Sequence, residues 1–98
     1  MKELPTRDQF ADAVGAVFRT KSSSGAELSL TLKEVTALRE EVKHAEFSVV
    51  FLGPADMPEE SRIYEMDSEE FGVIELHLSP FERDGAGLKL EAFFTLLN

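Results

Sequence analysis

Cysteine and tryptophan are both absent from this chain of 98 residues, and tyrosine occurs once. Without cysteine the chain forms no disulfide, offers no thiolate nucleophile and builds no thiolate zinc site. Such a composition is typical of a reducing compartment. The opening segment, MKELPTRDQF, lacks the apolar run of a secretory signal, and no segment reaches the roughly 18 apolar residues of a membrane span. These absences predict a cytoplasmic protein that does not bind membranes.

Basic residues are scarce, with 10 lysines and arginines against 19 acids and a formal net charge of −9. A field of this sign repels nucleic acids and anionic membranes. The acids are densest over residues 59–70, where Glu69 and Glu70 lie, but their spacing does not match a calcium loop. Two interpretations remain, a solubilising surface or a face that binds a cationic partner.

The hydrophobic pattern changes from helical to strand periodicity after Gly15. Thr6 and Gln9 match a capping box, and the apolar residues that follow predict a helix over about residues 6–14. Alternating leucines in ELSLTLKEV predict a half-buried strand that either ends before Val35 or bulges near residues 33–34. FSVVFLGP is predicted to be a strand covered on both faces.

The remaining segments are short and alternate between strands and turns. The predicted strands are AVFRTK, RIYEM, FGVIELHLS and LKLEAFFTLL, and TALREEVKHAE is predicted to be a loop or a loop with one helical turn. We expect Pro80 to end regular pairing and the Asp84–Gly85 pair to supply the positive φ of a tight hairpin. The chain is thus predicted to be a single mainly β domain, residues 1–98. An antiparallel meander of about six strands would form a small barrel or a two-layer sandwich, with one short N-terminal helix.

The stretch IELHLSPFERDGAG combines a histidine, acids, an arginine and glycines, which makes it a candidate reactive site. His77 alternates with inward leucines and should face solvent, and no serine or threonine lies in a recognised nucleophile motif. The glycines of DGAGLK lack the spacing of a phosphate loop. We therefore predict no catalytic, cofactor-binding or metal-binding residue and expect that the protein is not an enzyme.

Phe93 in the last predicted strand has the opposite parity to Phe94 and the same orientation as Leu97. If the outer face of that strand is open, it exposes an apolar stripe, which is typical of a protein interface. The candidate partner-binding residues are therefore Phe93, Leu97, Glu69 and Glu70. The alternative is that aromatic residues such as Phe71, Phe93 and Phe94 line a ligand pocket inside the barrel.

The order FADAVGAVFRT, ELSLTLKEV, FSVVFLGP and FGVIELHLSPFERDGAGLKLEAFF resembles a family of small bacterial proteins known as a domain of unknown function. The resemblance runs from about Phe10 to Phe94, and its motifs are structural. It departs at ADMPEES, where relatives carry a Pro-Gly-like approach to the strand of Tyr64. Relatives are similar to proteins found near phage-tail-collar-like, microcystin-dependent-type proteins, which implies an association with such assemblies and no catalytic residues.

These observations predict a non-enzymatic structural or protein-interaction module. A more specific prediction is that the module is an accessory of a phage-tail-like or fibre assembly. The partner would be another protein or a second copy, since an open edge strand could pair into a homodimer. Two alternatives stay open. One is a β-barrel that binds a small molecule, and the other is an acidic decoy of a basic protein.

Overall fold

A computed structural model describes residues 4–97, with the backbone alone at Leu97. The elements are α1 (Arg7–Asp12), β1 (Val17–Lys21), β2 (Glu27–Val35), β3 (Arg39–Glu40), β4 (His44–Gly53), β5 (Arg62–Ser68), β6 (Gly72–Asp84) and β7 (Gly87–Leu97). The prediction of a mainly β chain with one short N-terminal helix is confirmed.

The strands form one antiparallel sheet that closes into a six-stranded barrel. The order is β2-β1-β5-β6-β7-β4-β3, and a second pairing of β4 with β2 completes the closure. The barrel, one of the two predicted architectures, is therefore the one observed. Two three-stranded meanders, β1-β2-β4 and β5-β6-β7, join through β4 with β7 and through β1 with β5. This order places β5 across the barrel from β4.

Alternate residues of the barrel strands point inward, because successive side chains of a strand face opposite sides. They fill the interior, and the fully buried ones on the barrel strands are Phe18, Leu30, Leu32, Val49, Phe51, Tyr64, Met66, Leu78, Leu88 and Leu90. The helix closes one end of the barrel with Phe10, the buried residue of α1. Thr6 and Gln9 form the predicted capping box, and Gly15 after the helix has φ of +100°.

The other end of the barrel is closed by the loop between β4 and β5. Met57 of this loop is buried in the core. Arg83 near the end of β6 fastens the loop by donating hydrogen bonds to the carbonyls of Ala55 and Met57, the second at 2.7 Å. The seam between β1 and β5 is thinner, with one registered pair, Arg19 with Asp67.

Both flanks of the β4–β7 pair contain a bulge. In β2 the register shifts between Leu32 and Glu34, as one of the two interpretations of that segment predicted. In β6 it shifts between Pro80 and Glu82, and pairing continues to Asp84. The expectation that Pro80 ends regular pairing was wrong, because the bulge accommodates a residue that cannot donate a backbone hydrogen bond.

Two further local predictions need correction. Within TALREEVKHAE the structure has the two-residue strand β3, paired with β4, rather than a helical turn. The hairpin between β6 and β7 has its positive φ at Gly87 rather than at Gly85. The Asp84 carboxylate instead holds the turn by accepting a hydrogen bond from the Ala86 amide at 2.8 Å. Within residues 4–97, no helix is long and apolar enough to cross a membrane.

Candidate interaction surface

The outward side of β4 and β7 forms a continuous surface, here called the β4–β7 face. Register places three outward pairs side by side along it, Ser48 with Phe93, Val50 with Glu91 and Leu52 with Lys89. Ser48 and Val50 are only 8% and 7% exposed although they point away from the core. Side chains from the neighbouring strands therefore rise around them, and the face is a trough rather than a flat sheet.

The two bulges supply part of the walls of this trough. A bulge adds one residue to a strand and re-aims its side chain. Lys33 of β2 and Phe81 of β6 are these extra residues. Together with Glu34, Val50 and Lys89 they line a groove of about 360 Å³. A second groove of about 310 Å³ lies beside Phe93 and is lined by Thr36, Ala37, Arg39, Glu46, Phe47 and Ser48.

The β4–β7 face carries the exposed aromatic surface of the described chain. Of the eight phenylalanines, Phe81 is 55% exposed and Phe93 is 59% exposed, whereas the others are buried or half-buried. An exposed phenylalanine beside an open groove loses the hydration cost of its ring when a partner covers it. The face is therefore suited to contact with an apolar group of another molecule.

Two ion pairs lie on the β4–β7 face. Arg39 hydrogen-bonds the Glu46 carboxylate, and the imidazole of His44 lies 3.4 Å from the same carboxylate. The hydrogen bond from Arg39 lowers the pKa of Glu46. Lys89 lies 2.8 Å from Glu82, and its pKa is raised by that hydrogen bond. The aromatic rings of this face are therefore bordered by charged groups.

The predicted partner-binding residues do not form one site. Phe93 lies on the β4–β7 face, whereas Glu69 and Glu70 are exposed in the turn between β5 and β6. In the sheet, β6 lies between β5, which leads into that turn, and β7. Among the described residues, no hydrogen bond, ion pair or ring contact joins Phe93 to either glutamate. The side chain of Leu97 lies outside the described part of the chain. Sequence reasoning missed Phe81, whose signal was an apolar residue directly after Pro80.

Four acids without an ion pair among the described residues, Glu65, Glu69, Glu70 and Glu75, lie on the β5–β6 hairpin. Glu65 and Glu75 face each other directly across the two strands, and both are exposed. Like charges in this position destabilise a sheet. Asp67 follows on the same outward row, 3.8 Å from Arg19 of β1. Within residues 4–97, no cluster of three histidine, aspartate or glutamate side chains has a geometry that could hold a metal ion.

The side chains of Ser61 and His77 place a hydroxyl near an imidazole, the two groups that a serine nucleophile requires. The Ser61 hydroxyl lies 3.4 Å from Nε2 of His77, which the sequence correctly predicts as exposed, and 3.0 Å from the Ser79 hydroxyl. A serine nucleophile needs an imidazole oriented by a third group and donors aimed at the developing oxyanion. No described side chain hydrogen-bonds Nδ1 of His77, and the pair lies on an exposed strand surface. The contacts of Ser61 join the segment before β5 to the outward side of β6.

Comparison with known proteins gives a family and no activity. A family model described as a domain of unknown function, DUF6916, matches residues 5–94. No curated protein and no solved structure matches the chain significantly. The predicted resemblance to a domain of unknown function is thereby confirmed, while the predicted association with phage-tail-collar-like proteins stays a prediction. Since the match covers nearly the whole sequence, the chain belongs to the DUF6916 family.

Proposed function

We propose that this domain is a non-enzymatic protein-interaction module that binds through the β4–β7 face. The observation that carries the proposal is the placement of Phe81 and Phe93, the two exposed phenylalanines, beside two grooves on one sheet face. Large aromatic side chains at the centre of a patch contribute most to protein association. The more specific proposal, that the module is an accessory of a phage-tail-like or fibre assembly, is supported by the family resemblance alone.

The two alternative functions predicted from the sequence receive different support from the structure. A small-molecule barrel needs interior space, but side chains such as Phe18, Phe51 and Tyr64 fill the centre. The acidic-decoy alternative keeps one supporting observation, the outward acids Glu65 and Glu75 on the β5–β6 hairpin. A basic partner would be attracted to the outward acids of that hairpin rather than to the β4–β7 face, and its binding would weaken with salt.

The test is affinity capture from a lysate of the source organism with three versions of the full chain. These are the unaltered chain, Phe93→Ser and, as a matched control, Ile63→Ser. Ile63 lies on β5 and is 60% exposed, close to the value for Phe93. Proteins identified by mass spectrometry are then purified and titrated against each version.

We expect a stoichiometric partner, either another protein or this chain itself, that binds the unaltered chain and Ile63→Ser alike. Phe93→Ser should weaken that binding at least tenfold, which corresponds to about 1.4 kcal/mol. Equal binding by all three versions would show that the β4–β7 face is not the interaction surface. Absence of both capture and self-association would overturn the module proposal itself.

A further inference from the structure

We infer that the barrel opens at the β1–β5 seam, the line along which Val17–Lys21 faces Arg62–Ser68, while the pairing of β4 with β7 stays closed. The hydrogen bonds that Thr20 and Arg62 donate across this seam form its latch. The movement does not depend on what the β4–β7 face binds, so it is tested separately from the proposed function.

The two three-stranded halves of the barrel meet at two seams of very different extent. β4 pairs with β7 over ten consecutive residues. In the part of the chain that the structure describes, β1 and β5 share one registered pair, Arg19 with Asp67. The side chains of that pair lie 3.8 Å apart and are exposed, so solvent weakens their attraction. Backbone pairing thus holds one seam along its length and the other at a single point.

The ladder between β1 and β5 stops where it would next pair Lys21 with Glu65. Residues of an antiparallel strand alternate in the neighbour that their backbone groups face. Ala16 and Ser22, which flank β1, hydrogen-bond through their backbones to the arm of the hairpin that holds β2. Odd-numbered residues of β1 therefore face β5, and a continued ladder would join the backbone groups of Lys21 to those of Glu65.

Side chains occupy these positions instead. The Lys21 carbonyl accepts a hydrogen bond from the Arg62 guanidinium, and the Glu65 carbonyl accepts one from the Thr20 hydroxyl at 2.7 Å. Arg62 also donates to the carbonyl of Ile63 at 3.1 Å. The carbonyls of the seam are therefore satisfied without backbone contact between the two strands, which the latch holds together.

The latch is closed at a cost. The Nε of Arg62 is buried, and no hydrogen bond to it is found within residues 4–97. The carboxylate of Glu60, which accepts a hydrogen bond from the Ser23 hydroxyl at 2.5 Å, lies 3.9 Å from this nitrogen. An unpartnered buried donor costs free energy that is recovered when water reaches it. Opening of the seam removes this penalty.

A groove marks the place where the two strands diverge. It has a volume of about 440 Å³, larger than either groove of the β4–β7 face, and its walls include Lys21 of β1 and Glu65 of β5. Paired strands lie about 4.7–4.9 Å apart and leave no such space between them. Toward the helix end of the barrel, Phe18 of β1 stacks on Phe71 with 6.0 Å between ring centroids. Opening therefore begins at the Lys21 end of the seam.

The test is amide hydrogen exchange, measured by NMR on the full chain. The quantity compared is the exchange rate of the Arg19 and Asp67 amides relative to the slowest amides of β4 and β7. We expect the seam amides to exchange at least about a hundredfold faster, as for a local opening below the global unfolding free energy. Because such an opening exposes little surface, their exchange should depend only weakly on urea.

A disulfide across the seam provides the locked form. Arg19→Cys with Asp67→Cys replaces a directly opposed pair, whose Cα atoms are about 4.5–5.5 Å apart, within the reach of a disulfide. The chain has no cysteine of its own that could compete. Ile63→Cys with His77→Cys is the matched control, an exposed registered pair inside one half of the barrel. Oxidation should abolish the difference in exchange rate for the seam pair and leave it unchanged for the control.

Arg62→Lys tests the latch. It keeps the positive charge but loses the planar fork that reaches two carbonyls. We expect the seam amides to exchange at least about tenfold faster relative to those of β4 and β7. Arg83→Lys makes the same change in the loop at the end of the barrel and should leave this ratio unaltered. Circular dichroism on each variant checks that the fold is retained.

Several outcomes would overturn the inference. Equal exchange rates at the seam and in β4 and β7, or equally steep dependence on urea, would show that the barrel opens only by global unfolding. The same conclusion follows if the seam disulfide leaves the ratio of rates unchanged, or if the control disulfide alters it as much. A ratio that Arg62→Lys does not change would show that Arg62 does not latch the seam.

Discussion

Phe10 of α1 stands edge-on to Phe71, with 5.6 Å between ring centroids and 62° between ring planes. On its other side Phe10 lies 5.7 Å from Phe94, whose ring stacks on Phe47 at 4.7 Å. A helix of six residues has little intrinsic stability. Its position therefore depends on tertiary contacts, of which the buried ring of Phe10 is the largest; Ala13 also packs against the core, and Arg7 donates a hydrogen bond to the Thr36 carbonyl at 2.8 Å.

Phe10→Ala should destabilise the protein by about 3–5 kcal/mol, since it removes a fully buried ring and leaves a cavity. Phe10→Leu, which keeps most of the apolar volume, should lose less and guards against complete unfolding. Val14→Ala changes an exposed residue near the same helix and should stay within about 0.5 kcal/mol. Urea unfolding at equilibrium measures all three. A loss below about 1 kcal/mol for Phe10→Ala would mean that the ring does not hold the end of the barrel.

Gly87→Ala should be strongly destabilising, whereas Gly85→Ala in the same hairpin should be nearly neutral. Gly87 has φ of +144°, and a Cβ there would overlap the carbonyl oxygen of Gly53 on β4. A Cβ at Gly85 would meet nothing within 4 Å. We expect a loss of at least about 2 kcal/mol at Gly87, a fall in Tm of roughly 8–16 °C for a domain of this size. Similar melting temperatures for the two variants would refute the close approach of β7 to β4.

Much of the fold follows from local patterns in the sequence. The capping box of α1 and the inward alternation of the strands depend on residues that are close together in the chain, so both could be predicted. The pairing of β4 with β7 joins residues about forty positions apart and leaves no local signal. β3 was missed because its residues favour helices and its strand conformation comes from pairing with β4.

The candidate surface could be predicted only in part, for a similar reason. Parity along the last strand pointed to Phe93, and the structure places that ring on an exposed face. Phe81 escaped because a proline before it suggested the end of a strand, and only the partner strand shows that a bulge follows. Glu69 and Glu70 were grouped with Phe93 by composition, which carries no information about which face of a barrel a turn occupies.

Arg83→Lys should loosen the loop that closes the second end of the barrel. The guanidinium donates to two carbonyls at once and lies 3.5 Å from Glu59, an arrangement that one ammonium group does not reproduce. We expect a loss of about 1–2 kcal/mol and faster proteolysis within residues 54–61. Arg19→Lys is the control, because its pair with Asp67 is exposed and contributes about 0–1 kcal/mol. Equal proteolysis of the two variants would show that Arg83 does not fasten the loop.

Tyr64 should make the protein less stable at alkaline pH. Its side chain is buried and its hydroxyl donates to the Glu60 carbonyl at 2.8 Å. Burial raises the pKa of Tyr64, an effect larger than the opposing attraction of Arg62, whose guanidinium carbon lies 3.9 Å from the ring centre. The folded state therefore holds the phenolic proton more tightly than the unfolded state. The resulting stability is fully present below the unfolded pKa of about 10 and is lost as pH rises through the folded pKa.

The variant Tyr64→Phe lacks this titration. We expect the unfolding free energy of the unaltered chain to exceed that of Tyr64→Phe by a constant amount, about 1 kcal/mol, from about pH 7 to about pH 9. That excess should shrink above about pH 10. Paired urea titrations of the two proteins measure the difference, and an excess that stays level or grows above pH 10 would contradict the burial of the phenol.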